Sequence, residues 1–256
     1  MKKLAILISG GGTTAEATIK AIQNNTLTGL IPYVISSKPE AKGNERVKNL
    51  GITPHIIDKK AFSTNDAFGE KISQLLEELG IDIVSLQGWL HLVYPPIVRK
   101  YKGYIINQHG GPIDPGRPDF GGYGMTNPYR INCARLAYIW TSGDEAYTES
   151  DVQLADEEFD MGDLVRIEKM RVPAKKEKLT IEEIKAHPEE LIETTHAVVK
   201  ELYPLEHANV VASLQMLSDD KKVGFKRDTP LIPKEYIAYV DPAKKLGIEL
   251  FPYRNL

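Results

Sequence analysis

The chain has 256 residues, 42% apolar and 26% charged, with a formal net charge of -3. That length holds one sizeable core, or a core plus a small appendage, and the charge gives no bulk attraction to nucleic acid or an anionic membrane. The single cysteine, Cys133, excludes a disulfide framework and a cysteine-rich metal site.

In chain order, Met1-Lys2-Lys3 precedes a short apolar run, Leu4 to Ile8, that ends in Ser9-Gly10-Gly11-Gly12. The run is too short for a signal peptide and lacks a cleavage pattern, so it reads as a buried first strand in a protein expected in the cytoplasm. Thr13 or Thr14 is placed to cap a helix running to about Asn24. Ile31 to Ile35 predicts a second strand, Ala41 to Leu50 a helix and Thr53 to Ile57 a third strand. Ser63-Thr64-Asn65-Asp66 caps a helix that continues to Leu79 and stops at Gly80. Ile83 to Leu86 predicts a fourth strand, Pro95-Pro96 a short helix and Tyr104 to Asn107 a fifth strand. Strands alternating with helices at this spacing define an α/β protein with a doubly wound, mostly parallel sheet. Ligands of such sheets bind beyond the carboxyl ends of the strands.

After His109 the pattern changes. Gly110 to Asn127 is rich in Gly and Pro and has no clear period, as functional or mobile loops are. Asp151 to Ala155 and Asp163 to Val172 predict a strand pair flanking a loop at Asp160. Thr180 with Glu183 forms a capping box at the start of one helical stretch, and a second runs from Glu193 to Leu202. Residues 1–217 read as the main domain, and 218–256 as a tail with little periodicity packed on it.

Three places carry chemistry. Gly11, Gly12, Thr13 and Thr14 lie between a strand and a helix, where free amides and the helix dipole favour a phosphate. The turn lacks a P-loop lysine and the full dinucleotide spacing, and its plainer reading is a tight strand-to-helix connection. Asn107 and His109 stand at a strand end. With Asp160 they could polarise a carbonyl, move a proton and hold an imidazole's charge state, which is acyl-transfer chemistry. Taken singly, each has a structural reading: an amide bonded to backbone, a loop histidine, an Asp-x-Gly turn. His91 beside Trp89 reads as a loop residue next to an apolar pocket. His196 and His207 fall in helical sequence as surface or packing residues.

Taken together these pieces resemble the phosphoribosylglycinamide formyltransferases, folate-dependent enzymes of purine synthesis. Leu7-Ile8-Ser9-Gly10-Gly11-Gly12-Thr13 is similar to the family's opening strand and phosphate loop. Gly88-Trp89-Leu90-His91-Leu92-Val93 is similar to its folate-pocket segment. Asn107-Gln108-His109 has the family's Asn-x-His spacing. Gly143-Asp144-Glu145 through Phe159-Asp160-Met161-Gly162 is similar to the segment with the catalytic Asp, and Leu202-Tyr203-Pro204-Leu205 is a weaker echo in the last long helix. The resemblance covers roughly residues 1–217. It implies a Rossmann-like fold with a C-terminal helix, and formyl transfer from 10-formyltetrahydrofolate to a primary amine, glycinamide ribonucleotide or a related phosphorylated amine. Asn107, His109 and Asp160 would be catalytic. Trp89, Leu90, His91, Leu92 and Val93, with Asp156 and Glu157, would hold the folate, and the Gly11–Thr14 turn the substrate phosphate. The implied partners are two small molecules, the amine and the reduced folate, with no metal, nucleic acid or membrane, on a monomer or homodimer.

The sequence also departs from the family. Gly110-Gly111-Pro112-Ile113-Asp114-Pro115 replaces a Pro-Ser-Leu-Leu-Pro type loop. The stretch from His109 to Asp160 is longer, with the extra length at Gly116 to Cys133. Val199 stands where the family has a helical acid for ribose hydroxyls, and Gln153 where it has a His. Arg117, Arg130 and Arg135 are candidates for an anionic group on the acceptor, because a guanidinium fork binds carboxylate or phosphate in two places. Three other readings stay open: a formyltransferase for another amine such as an amino sugar, a formyl-folate hydrolase, and a non-catalytic folate-binding protein.

Overall fold

The computed structural model describes residues 1–252. Contacts divide the chain into two compact units of interleaved segments. Unit 1 comprises Met1–Gln108, Val152–Arg166 and His207–Phe225. Unit 2 comprises His109–Asp151, Ile167–Glu206 and the chain from Lys226 on.

The first half of the chain alternates as its pattern demands: β1 (Lys2–Ile8), α1 (Thr13–Gln23), β2 (Leu30–Ser36), α2 (Lys42–Lys48), β3 (His55–Ile56), α3 (Asn65–Leu79), β4 (Ile83–Leu86), α4 (Pro95–Lys100) and β5 (Ile105–His109). Then follow α5 (Pro128–Ser142), β6 (Tyr147–Leu154), β7 (Leu164–Arg171), α6 (Ile181–Ala186), α7 (Glu189–Ser218) and α8 (Val240–Leu250). The seven strands are ordered β3-β2-β1-β4-β5-β6-β7. The pairs β1–β2, β2–β3, β1–β4 and β4–β5 are parallel, with Leu4 opposite both Pro32 and Ile83. The fold is therefore the doubly wound, mostly parallel α/β sheet the pattern predicts.

In unit 1 the central strands are buried on both faces, which is why they read as unbroken apolar runs. Leu4, Ile6 and Ile8 face Ala15 and Ile19 of α1 and Val210 and Leu214 of α7. Ala5 and Leu7 face Phe68, Ile72 and Leu76 of α3. In unit 2 the core gathers α5, with Leu136, Ala137 and Trp140, against Val198 of α7 and Leu246 of α8.

Several predicted elements shift. The third strand pairs only at His55–Ile56. The first helix is capped by Gly12 in a left-handed conformation, with Thr13 and Thr14 already inside it and no side-chain cap. The helix expected over 193–202 extends over 30 residues through Pro204. Two helices had no counterpart in the periodicity. α5 is buried on nearly every face, so it shows no polar stripe to read. α8 lies in the stretch read as a packed tail with little periodicity and packs on α5; the last residues of that stretch, 253–256, fall outside the described ones. Among the described residues no helix is long and apolar enough to cross a membrane.

Candidate active site

β1 lies between β2 and β4, so the winding of the sheet reverses at the β1–β4 junction. In an open α/β sheet that reversal leaves a crevice beyond the carboxyl ends of the strands. Two of the sequence motifs meet there. Ser9 follows β1 and its amide donates to the Gly88 carbonyl at 3.2 Å. Its Oγ accepts from the Leu90 amide at 3.2 Å and from the Ser37 hydroxyl at 2.8 Å. One serine thus ties together the loops after β1, β2 and β4.

The Gly10–Gly12 turn has a steric reason. A Cβ on Gly12 would lie 2.6 Å from Cα of Gly43, and φ there is +68°. The turn packs backbone on backbone against α2, with the Gly43 amide donating to the Gly10 carbonyl at 3.0 Å. The amides of the first turn of α1 receive no side-chain cap, which leaves that helix start able to receive an anion.

Unit 1 also holds a cleft lined by Leu86, Trp89, His91, Leu92, Val93, Asn107, Gln153, Ala155, Asp156, Glu158, Phe159 and Asp160. The structure therefore brings Asn107 and Asp160 together with most of the expected folate segment. Leu90 and Glu157 are not on the wall. The Leu90 amide serves Ser9, and Glu157 pairs with Arg99 at 2.8 Å across exposed surface. Sequence reasoning missed Leu86 and Ala155, and reached Glu158 and Phe159 only as part of the loop from Asp156 to Asp160. Gln153 was legible as the residue in place of the family's His, and its Nε2 donates to Asp160 Oδ1 at 2.8 Å. Asp160 is held with φ +56°, a conformation that an Asp tolerates better than most residues.

One wall is aromatic. Trp89 stacks on Phe68 with ring centroids 5.8 Å apart, and His91 meets both edge-on at 5.2 Å. Burial, helped by the charges of Lys59 and Lys38, pushes the His91 imidazole down to about 4. It is neutral at neutral pH and cannot serve as a general acid there. The enclosed space is about 50 Å³. Leu92 and Phe159 on its lining are both half-exposed.

His109 closes β5, two residues after Asn107, and strand alternation gives both side chains the same face. His109 is buried, and its Nδ1 lies 2.8 Å from the Gly111 carbonyl. A carbonyl only accepts, so Nδ1 carries a proton and exchange falls to Nε2. The two glycines that follow are a packing requirement. A Cβ on Gly110 would strike the Glu206 carboxylate, and one on Gly111 would strike Ile131.

The expectation that Arg117, Arg130 and Arg135 face an acceptor is corrected. Arg117 forks onto Asp114 Oδ1 at 3.0 and 2.8 Å and onto the Arg227 carbonyl. Arg130 is buried against the carbonyls of Phe251 and Gly124. Arg135 is fully buried, donates to the Tyr147 and Glu145 carbonyls and sits over the Phe120, Tyr138 and Tyr147 rings. All three are structural cations. Cys133 is also inert: burial pushes its thiol up to about 12, far from the thiolate a nucleophile needs.

The fold is that of a doubly wound α/β protein, with a cleft lined by Asn107 and Asp160. Residues 2–195 match the family model described as formyl transferase, and the chain belongs to that family. It is 34% identical over 109 residues to the phosphoribosylglycinamide formyltransferase of Haemophilus influenzae, covering 43% of this chain and 51% of that protein. It is 33% identical over 107 residues to the trifunctional purine biosynthetic protein adenosine-3 of Gallus gallus, covering 42% of this chain and 11% of that one. The aligned stretch thus spans about half or less of these relatives. The crystal structure of phosphoribosylglycinamide formyltransferase from Bacillus Halodurans superposes with a TM-score of 0.65 at 26% identity, covering 88% of this chain and 100% of that one.

Proposed function

We propose that this protein transfers a formyl group from 10-formyltetrahydrofolate to the primary amine of glycinamide ribonucleotide or of a closely related phosphorylated amine. The observation that carries this reading is the cleft that gathers Asn107 and Asp160 against the Trp89–Val93 wall. Family membership and the names of the relatives support it.

The residues fit such a donor. An aromatic and aliphatic wall suits a flat ring, and a few polar groups beside it fix orientation. When bound, the folate supplies the formyl carbon. Trp89, Leu92 and Val93 would pack the ring, and backbone near Asp156 would orient it. The amine attacks the formyl carbon, and negative charge grows on the formyl oxygen. The Asn107 amide and a protonated His109 stabilise that oxygen. Asp160 would accept the proton leaving the amine, directly or through water, and pass it to the folate nitrogen as the bond between that nitrogen and the formyl carbon breaks. The uncapped start of α1 at Gly11, Gly12, Thr13 and Thr14 takes the acceptor's phosphate.

The test is formyl-folate turnover, followed by folate absorbance, with and without glycinamide ribonucleotide. Amine-dependent turnover is the expected result. Formate release without amine would make the protein a hydrolase, and folate binding without turnover would make it a binding protein.

A further inference from the structure

His109 is held through the backbone that follows it. Its Nδ1 donates to the Gly111 carbonyl at 2.8 Å, so the place of that carbonyl sets the direction of the ring and the nitrogen that carries the proton. The segment around Gly111 is anchored on both sides. Upstream, Asn132 Nδ2 donates to the Gly110 carbonyl at 2.8 Å. Downstream, the Ile113 amide donates to Asp151 Oδ2 at 2.9 Å, and the Ile113 carbonyl accepts from Arg227 Nε at 2.9 Å. Space is closed as well: Gly110 lies against the Glu206 carboxylate and Gly111 against Ile131, with no room for a Cβ on either. All of these groups belong to unit 2.

Asn132 is the anchor that the helix itself does not explain. It is fully buried inside α5, where an asparagine lowers helix propensity and a buried amide has to be hydrogen-bonded. Its bonds fix it. Nδ2 faces two carbonyls, those of Gly110 and Pro128, each at 2.8 Å. Carbonyls only accept, so the nitrogen stands there and Oδ1 points away. Oδ1 accepts from the Thr148 hydroxyl of β6 at 2.6 Å, and Thr148 is buried too. A buried chain of a β6 hydroxyl, an α5 amide and a loop carbonyl thus ends one residue after His109.

We propose that Asn132, oriented by Thr148, is a positioning residue for His109: it fixes the Gly110–Gly111 backbone so that the imidazole keeps its Nδ1–H form and offers Nε2 to the reaction. The claim about turnover rests on the functional reading above; the claim about the ring does not. The Gly-Gly pair that departs from the family's loop then has a reason. Two residues without side chains let the loop pass Glu206 and Ile131, bringing one carbonyl to Asn132 and the next to His109.

The hold on the ring is tested without activity by ¹⁵N NMR of the whole chain at about pH 9, where an ordinary imidazole is neutral and its nitrogens report which one carries the proton. The His109 signals are identified by their loss in His109→Gln. Wild type should carry the proton on Nδ1, and a proton on Nε2 overturns the proposal. Asn132→Leu keeps the volume and lacks the donors. In it the Nε2–H form should rise about tenfold, the effect of one ordinary hydrogen bond. Leu136→Ala is the control, a core truncation in the same helix that destabilises unit 2 and removes no hydrogen bond; its His109 ring should match wild type. The second arm is turnover. In Asn132→Leu kcat should fall about ten- to a hundredfold, with KM for both substrates within about twofold of wild type, while Leu136→Ala keeps its kcat below its unfolding temperature. An unmoved ring or an unmoved kcat in Asn132→Leu, or equal changes in Leu136→Ala, overturns the positioning role. If Asn132→Leu does not fold, Thr148→Val takes its place: it keeps the shape, removes the hydroxyl that orients the amide and should move ring and kcat in the same directions, and an unmoved Thr148→Val then overturns the role. A wild type that transfers no formyl group refutes the functional reading and leaves the NMR result standing.

Discussion

The two units solve burial differently. Among the described residues, the buried polar side chains of unit 1 are serines, threonines, asparagines and glutamines, such as Ser85, Thr18 and Gln87, which bond one another inside an apolar sheet core. Among the described residues every buried Asp, Glu and Arg belongs to unit 2, including Asp114, Arg135, Glu149 and Asp151. Neutral polar groups need only a hydrogen bond to be buried, whereas charges need an opposite charge as well. Unit 1 should therefore tolerate loss of a polar group at its cleft without unfolding. Unit 2 should be sensitive to loss of any one ion.

The largest effect sharpens that contrast on the side of unit 1. Asp160→Asn keeps the shape of the side chain and can still meet Gln153, but it cannot take a proton. Turnover should fall about a thousandfold, or about 4 kcal/mol of barrier, with the urea unfolding midpoint unchanged. Wild-type turnover in this variant would remove Asp160 from the chemistry.

The next effect lies in unit 2. Arg227 pairs with Glu149 and, at 3.1 Å, with Asp151, both fully buried, and also donates to the Ile113 carbonyl at 2.9 Å. Arg227→Met leaves Glu149 with Lys169 at 3.5 Å and takes the cation from Asp151, and should cost about 3 to 5 kcal/mol in urea unfolding. Adding Glu149→Gln and Asp151→Asn should restore most of that loss, because no charge is then left unpaired. If the single variant is as stable as wild type, unit 2 is not held by its ions.

The same contrast decides what could be read from the sequence. The apolar runs of β1, β2, β4 and β5, with Gly and Thr at their ends, identify unit 1's sheet because both faces are buried in apolar surroundings. The Asn-x-His pair and Asp160 could be placed by motif. Unit 2 hid its structure. α5 interleaves Arg130, Asn132 and Arg135 with Leu136 and Ile139, all buried, so its polar positions look like solvent-facing ones. Its legible signals were the ends: Asn127 caps through the Arg130 amide, Pro128 stands at the first helical position and Gly143 stops the helix. Arg117, Arg130 and Arg135 were misread for the same reason. A guanidinium in sequence looks like a ligand for an outside anion, and only the fold shows that its partners are internal.

A smaller effect probes the cleft wall. Trp89→Ala should weaken reduced-folate binding by about 1 to 2 kcal/mol, roughly tenfold, as an aromatic packing surface is lost. Folate should quench Trp89 fluorescence in the wild type. Equal affinity in the variant, with no fluorescence response in the wild type, would displace the folate from this wall.

The smallest effect sets the two units against each other through pH. In unit 1 the His91 imidazole is lowered to about 4 from its usual 6.5, chiefly by burial. Its folded value is depressed, so the unfolded chain takes up the proton first. Stability is lost as pH falls below 6.5, and the loss is complete near 4. Because the ring is partly exposed, the loss is on the order of 1 kcal/mol. In unit 2 the Asp151 carboxyl is raised well above 3.8, by burial first and by the charge of Glu149 second, against the pull of Arg227 and the Ile113 amide. There the folded chain holds the proton more tightly, so that contribution is present at low pH and is lost as pH rises through the folded value. The two residues tilt stability in opposite directions across the acid range. Hydrogen exchange resolved by segment reads each separately, with β1 amides for unit 1 and α5 amides for unit 2. Between pH 8 and pH 5, His91→Gln should remove acid-induced loss of protection from β1 and leave α5 as it was. Asp151→Asn should flatten the opposite trend in α5 and leave β1 as it was. If either variant moves both sets of amides together, the units open as one, and the contrast between their cores describes composition without describing separate stabilities.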